Sequence, residues 1–307
     1  MSELQNGAVR IAGVEVSVVG FRGVSLGPDG SIAATHTMPL DRGGQPLPQL
    51  SAFIKDLQGR FGGFDRVGIA VPGLIDLGSG RVTFSAHIPE HSEIDLAEYI
   101  LTETGINAVV ENDANAGAYG EYKLGAGRGS KNMFYATLGR GIGGALIFDG
   151  TIWRGASGFA GEFGYMAIDS DGLRLEDVAS TENIVRRTRD RFNRDSTSSL
   201  NNLDETSIHI GDIVTAAESG DDFARLMLER TGRYVGTAVA TVINLLNIET
   251  IVLGGVIMTA SHLVLDAVIN RAKELSFAPS FRSSQILSGS LGENAAAAGV
   301  ALLAERP

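Results

Sequence analysis

Apolar and polar positions along the chain recur in a helix-then-strand order. Residues 9–26 are rich in Val and Ile, are broken by Gly13, Gly20 and Gly23, and run into a Gly27-Pro28-Asp29-Gly30 turn, the pattern of an opening β-meander. Leu50, Phe53, Ile54, Leu57 and Phe61 then fall at helical spacing within residues 47–61, and residues 66–73 read as a buried strand that ends in a turn. The same order returns, with a helix over 94–104, a strand over 108–113 that runs into a loop, and a helix over 114–124. Alternation of this kind predicts an α/β fold.

The second half continues in the same manner. Residues 133–138 and 143–148 read as paired strands around a glycine turn, 177–192 and 221–247 as helices, and 250–255 as a compact strand. A helix over 262–275 and an alanine-rich helix over 293–305 close the chain, and the polar stretch 193–205 reads as a surface loop. No repeat, heptad or low-complexity tract is visible in the sequence.

Composition narrows the function classes. The 307 residues are 44% hydrophobic and 20% charged, enough for a full core in one large domain or two ordinary ones. With 25 Lys and Arg against 36 Asp and Glu, the net charge is -11, and no basic cluster stands out, which argues against direct nucleic-acid binding. Cysteine is absent, so disulfides, thiolate metal sites and thiol nucleophiles are excluded, and catalysis needs oxygen or nitrogen groups. The opening Met1-Ser2-Glu3-Leu4 lacks the basic-then-apolar order of a signal peptide, and no apolar run approaches a membrane span. The expectation is a cytoplasmic protein with no membrane partner.

Four segments carry more than propensity: Val71-Pro72-Gly73-Leu74-Ile75-Asp76, Glu111-Asn112-Asp113-Ala114-Asn115-Ala116, Thr137-Leu138-Gly139-Arg140-Gly141-Ile142-Gly143-Gly144, and the run from Arg154-Gly155-Ala156 through Ala160-Gly161-Glu162-Phe163-Gly164. In this order and spacing, with Leu175-Glu176, Ile251-Val252-Leu253-Gly254-Gly255 and Leu291-Gly292-Glu293-Asn294-Ala295 behind them, the chain resembles the ROK family (repressor, open reading frame, kinase) along essentially its whole length. The resemblance implies an α/β fold of two actin-like (ribonuclease H-like) domains with a central ligand cleft. It assigns residues 1–112 and 293–307 to the N-terminal domain and 113–292 to the C-terminal one, with sugar between them and nucleotide on the second. A homodimer is what similar proteins lead one to expect.

A sugar hydroxyl is a poor nucleophile, and phosphoryl transfer to it needs a carboxylate within hydrogen-bond reach. Asp113 is the candidate base: it follows a β-branched run and precedes a helix, which puts it at the carboxyl end of a strand. Asn112 donates to and accepts from the same sugar in this reading, although an Asn-Asp pair after a strand is also an ordinary turn or helix cap. The resemblance adds Gly73, His87, Glu162 and Glu176 to the sugar side. It places Gly139, Arg140, Gly141, Gly143 and Gly144 on the nucleotide side, where bare glycine backbone lets N–H groups approach phosphate oxygens, and Gly254 and Gly255 in the family's adenosine-side turn.

Several positions depart from the family pattern. The family's kinases open with an Asp-x-Gly-Gly-Thr hairpin that cradles phosphate and orients magnesium; here that stretch reads Glu15-Val16-Ser17-Val18-Val19. Val18 and Val19 supply neither hydroxyl nor bare backbone, a change that should cripple ATP turnover. Arg140 replaces the usual threonine of the glycine turn, and His87 replaces a sugar-contacting asparagine. Many members bind zinc through a histidine and three cysteines; Tyr165 stands at the histidine position and no cysteine is present, so no zinc is expected. The preferred reading is a sugar-binding sensor or pseudokinase for a hexose or amino sugar. The family's repressors read DNA through an N-terminal winged helix, and with strand-like sequence by Val9 none is expected in this chain. The alternative is an active hexose or N-acetylamino-sugar kinase, glucokinase-like, using ATP and magnesium with Asp113 as base. An actin-like chaperone fits Asn112-Asp113 and Gly161-Glu162 less well.

Overall fold

The structure is a computed structural model and describes residues 10–41, 43–76, 81–84, 94–192 and 197–305. The chain divides into two compact units: the first holds the residues up to Gly125, Arg154–Ala160 and those from Asn294 on, and the second holds Ala126–Trp153 and Gly161–Glu293. The helix that begins at Asp113 lies within the first unit.

In the first unit, β1 (Ile11–Ser17), β2 (Gly20–Leu26) and β3 (Ile32–Pro39) form an antiparallel meander. Helix α1 (Pro46–Arg60) leads to β4 (Arg66–Val71), a small ladder joins β5 (Leu74–Ile75) to β6 (Val82–Phe84), and α2 (Leu96–Thr104) leads to β7 (Asn107–Asn112) and α3 (Asp113–Lys123). Strands β4 and β7 join the sheet in parallel, giving the order β3-β2-β1-β4-β7. One face is covered by α1 and α2 through Leu50, Phe53, Leu57, Leu96 and Ile100, packed on Val14, Val16, Ile69 and Val71. The opposite face takes α3 and the C-terminal helix, Ala295–Ala304. That helix is built of small residues because backbone meets backbone there: a Cβ on Gly13 would lie 1.8 Å from the Ala297 carbonyl oxygen, and one on Gly299 1.8 Å from that of Ala116.

The second unit repeats the plan. Strands β8 (Met133–Leu138), β9 (Ile142–Phe148) and β10 (Thr151–Trp153) form the meander. Helices α4 (Glu176–Ala179), α5 (Thr181–Phe192), α6 (Ile210–Glu218) and α7 (Asp222–Leu246) precede β11 (Thr250–Gly254), and α8 (Ser261–Leu275) and α9 (Ala278–Arg282) precede β12 (Gln285–Ser288). The order β10-β9-β8-β11-β12, with β11 and β12 parallel to β8, matches the first sheet strand for strand. Each sheet is three antiparallel strands extended by two parallel ones. No helix among the described residues is long and apolar enough to cross a membrane.

The structure refines several elements read from the sequence. The helix anticipated over 177–192 is two helices, broken where Ser180 turns to extended backbone with ψ 156°. Strand β3 was hidden by its half-buried, alternating Thr-His-Thr pattern at the sheet edge. Helix α6 was hidden because its start is set by an unusual cap, the His209 ring accepting from the Asp212 N–H while the Asp212 carboxylate accepts from the His209 N–H. Within the polar stretch read as a surface loop, residues 199–202 form a short tight turn of helix that buries Leu200.

Candidate functional site

Parallel strands β4 and β7 end side by side, with Val71 opposite Asn112, so the loops holding Gly73 and Asn112-Asp113 leave the same edge of the first sheet. Asn112 is the N-cap of α3: its Oδ1 accepts from the Asn115 N–H at 3.0 Å. The cap fixes the Asn112 side chain. Asn112 Nδ2 donates to the Gly73 carbonyl at 3.0 Å and lies 3.2 Å from Asp113 Oδ1, which also accepts from the Ala114 N–H at 2.9 Å. Asp113 is the first residue of α3, at the positive end of the helix dipole. Gly73, Asn112 and Asp113 are therefore one constellation. His87 lies outside the described residues.

Two features of this edge were not legible in the sequence. Glu111 is only 6% exposed, and its carboxylate accepts from the Asn112 N–H and from Asn115 Nδ2, each at 3.0 Å. Arg154, from the Arg154–Ala160 segment of the same unit, closes an ion pair on Glu111 Oε2. The signal was the presence of both residues in motif segments, but 43 positions separate them.

In the second unit the turn joining β8 to β9 is held from within. The Gly139 N–H donates to the Gly141 carbonyl at 3.1 Å, and the Gly139 carbonyl accepts from the Thr181 N–H at 2.8 Å. The Gly254-Gly255 turn packs against the same strand end, since a Cβ on Gly255 would stand 2.5 Å from the Leu138 carbonyl oxygen. The two glycine segments are thus neighbours. Gly143 sits in the ladder opposite Thr137, and Gly144 lies against Gly161 and Phe163. Arg140 pairs with Glu182 at 3.3 Å on the surface.

Glu162 and Glu176 also come together. The Ile142 N–H donates to Glu176 Oε2 at 2.8 Å, and Asn183 Nδ2 donates to the Glu176 carbonyl at 2.9 Å. Surrounding protein mass, with repulsion from Glu176 second, raises the pKa of Glu162, although part of its side chain stays exposed. Between the two acids the chain folds back on itself: Ala167 bridges Arg174, the Leu175 N–H donates to the Met166 carbonyl at 3.0 Å, and the Arg174 guanidinium lies 4.8 Å from the centre of the Tyr165 ring. Asp169 Oδ1 accepts from the N–H groups of Asp171 and Leu173 and shapes the tip. Packing and hydrogen bonds hold Glu176 in this segment.

The first hairpin is tight, and its Val19 carbonyl accepts from the Leu40 N–H at 3.1 Å. Ser17 pairs with Gly20 across a two-residue turn of Val18 and Val19. The Ser17 hydroxyl donates to the Gly20 carbonyl at 2.9 Å, and the Val19 side chain projects outward, 62% exposed.

Two sheets of identical strand order, each with helices on its faces, define a two-domain actin-like fold of the sugar-kinase type. A glucokinase structure from Streptomyces griseus, described as a ROK-family enzyme in complex with glucose and AMPPNP, superimposes with a TM-score of 0.87 at 28% identity, over 97% of this chain and all of that one. The ROK family model matches residues 11–307, and the chain belongs to the ROK family. A glucokinase from Streptomyces coelicolor is 29% identical over 96% of this chain and 97% of its own. A xylose repressor from Bacillus spizizenii is 30% identical over 76% of this chain, and the match spans 59% of the repressor's length. The family therefore contains both sugar kinases and repressors among this chain's relatives.

The AMPPNP-bound relative implies a nucleotide, and the residues here fit its polyphosphate end poorly. The hairpin presents Val18 and Val19, the Ser17 hydroxyl is spent within the turn, and Arg140 already pairs with Glu182. Close approach of phosphate needs bare backbone N–H groups and free cationic or hydroxyl donors, which this hairpin does not offer.

Proposed function

We propose that this chain is a sugar-binding ROK protein that acts as a sensor or pseudokinase. The observation that carries the reading is the Ser17–Gly20 hairpin, in which two valines form the turn and the one hydroxyl bonds the backbone. In this reading Gly73, His87, Asn112, Asp113, Glu162 and Glu176 contact a hexose or amino sugar, and the glycine turns serve nucleotide contact only weakly or not at all. Phosphoryl transfer depends on positioning and charge neutralisation, so loss of the phosphate-facing hairpin removes turnover while the sugar contacts persist.

The second reading is an ATP-dependent hexose or N-acetylamino-sugar kinase. It is favoured by the match to a glucokinase over nearly the full length of both chains, and by the position of Asp113 at the start of α3 beside the Asn112 cap. A coupled ADP-release assay with magnesium-ATP across hexoses and N-acetylamino sugars, beside an Asp113→Asn control, separates the two. Absence of turnover with sugar binding retained by calorimetry is the expected result. Sugar-dependent turnover abolished by Asp113→Asn would replace the sensor with a kinase.

A further inference from the structure

Glu111 immediately precedes Asn112-Asp113 and is itself buried, which is costly for a carboxylate unless it is paired and hydrogen-bonded. Both conditions are met. One oxygen accepts from the Asn112 N–H and from Asn115 Nδ2, and the other binds the Arg154 guanidinium. Asn112 is consequently gripped at three atoms: its N–H by Glu111, its Oδ1 by the Asn115 N–H, and its Nδ2 by the Gly73 carbonyl. Asn115, which supplies one of those grips, is in turn anchored by its side chain to Glu111.

We propose that Glu111 and Arg154 are positioning residues that fix the Asn112-Asp113 loop for sugar, with Arg154 supplying the countercharge that keeps the Glu111 carboxylate in place. The inference rests on the reading of Asn112 and Asp113 as sugar contacts. Glu111 touches no substrate in this arrangement. It acts by holding the start of α3, so that the side chains of Asn112 and Asp113 leave the strand at one angle. Arg154 keeps about a third of its side chain exposed, so its replacement perturbs the pair with less damage to the core than replacement of Glu111.

The test compares Glu111→Gln, Arg154→Met and Arg154→Lys with wild type in two measurements on the full chain. Hydrogen exchange by mass spectrometry follows the segment 111–116, and calorimetry follows binding of D-glucose, D-xylose and N-acetyl-D-glucosamine, with Asp113→Ala as the site control. Glu111→Gln and Arg154→Met are expected to speed exchange in 111–116 about tenfold or more while residues 11–26 stay protected, and to weaken sugar binding by a similar factor. Arg154→Lys, which keeps the charge, recovers part of both, and the Glu111→Gln/Arg154→Met double variant is little worse than either single one. Wild-type exchange in the single variants, or faster exchange with unchanged affinity, overturns the proposal. If Asp113→Ala binds sugar like wild type, or wild type binds none of the three, the sugar-site reading falls instead. The exchange measurement then still decides whether the pair fixes the loop.

Discussion

Gly144 and Gly161 lie backbone against backbone: a Cβ added to Gly161 would stand 2.2 Å from the Gly144 carbonyl oxygen. Gly161 also has φ 103°, a conformation that L side chains rarely adopt. The contact sets where the chain departs toward Glu162, the next residue. Gly161→Ala therefore combines backbone strain with a clash against main-chain atoms, and a loss of about 2–4 kcal/mol is expected in urea unfolding. Gly172→Ala is the control, since it shares a positive φ of 82° but meets nothing within 4 Å. Equal losses for the two would mean that strain alone, and not the Gly144 contact, accounts for the effect.

Much of the first-unit site was legible because its logic is local. A β-branched run followed by Asn-Asp and a small-residue helix predicts the strand end, the cap and the placement of Asp113, and β7 and α3 meet at that point. The partner of Glu111 was not legible, because Arg154 reaches it from a distant segment and neither residue type announces burial. The Ser180 break had a signal that went unread, since Ser180-Thr181-Glu182-Asn183 interrupts the apolar positions between Ala179 and Ile184 and serine is a common helix-starting residue. Two of the glycines read as nucleotide-facing also have a packing reason to be small: Gly144 is pressed by Gly161 and Phe163, and Gly255 by the Leu138 backbone. Absence of bulk is visible in a sequence, while the neighbour that requires it is not.

Glu162 makes stability depend on pH with a sign opposite to that of a salt-bridged acid. Its folded-state pKa is raised above 4.5, by burial first and by Glu176 second, so the native state binds more protons than the unfolded chain within the window above that value. Stability contributed by this group is therefore present below pH 4.5 and is lost as pH rises through the elevated folded value. Glu162→Gln is expected to flatten the decline of the urea midpoint across that window, and Glu176→Gln to flatten it partially. An unchanged slope in Glu162→Gln would show that other groups set it.

A hairpin with bare backbone and a hydroxyl in place of the valines is expected to gain turnover. Replacing Ser17, Val18 and Val19 by Gly, Gly and Thr restores bare backbone and a hydroxyl where the valines stand. Val18 packs on the first core, so its loss is expected to lower stability by about 1–2 kcal/mol, whereas Val19→Thr at an exposed turn is close to neutral. Glucose-dependent ADP release in the triple variant is expected to rise at least about tenfold above the wild-type background. A folded triple variant with no rise would locate the block elsewhere, for instance at Arg140.

Arg187 offers a stability gain by removal of a charge. It is 7% exposed on α5, and its Nη2 donates to Thr231 Oγ1 of α7 at 2.8 Å, while Nε and Nη1 have no hydrogen-bond partner among the described residues. Burial lowers its pKa to about 10, and Arg191, Arg230 and Arg186 add repulsion. The guanidinium does lie over the Tyr234 ring, 5.3 Å from its centre, which returns part of that cost. Methionine keeps most of the volume and the ring contact, and it removes the unpaired donors and the like-charge repulsion. The Thr231 hydroxyl still donates to the Met227 carbonyl at 2.9 Å, so its O–H is not left unpaired when the guanidinium is removed. Arg187→Met is therefore expected to leave unfolding free energy unchanged or to raise it by about 1–2 kcal/mol, whereas Arg187→Ala, which leaves a cavity, lowers it. Urea unfolding followed by circular dichroism decides: a loss of more than about 2 kcal/mol in Arg187→Met would mean that the guanidinium is satisfied by a group that the packing of α5 on α7 does not reveal.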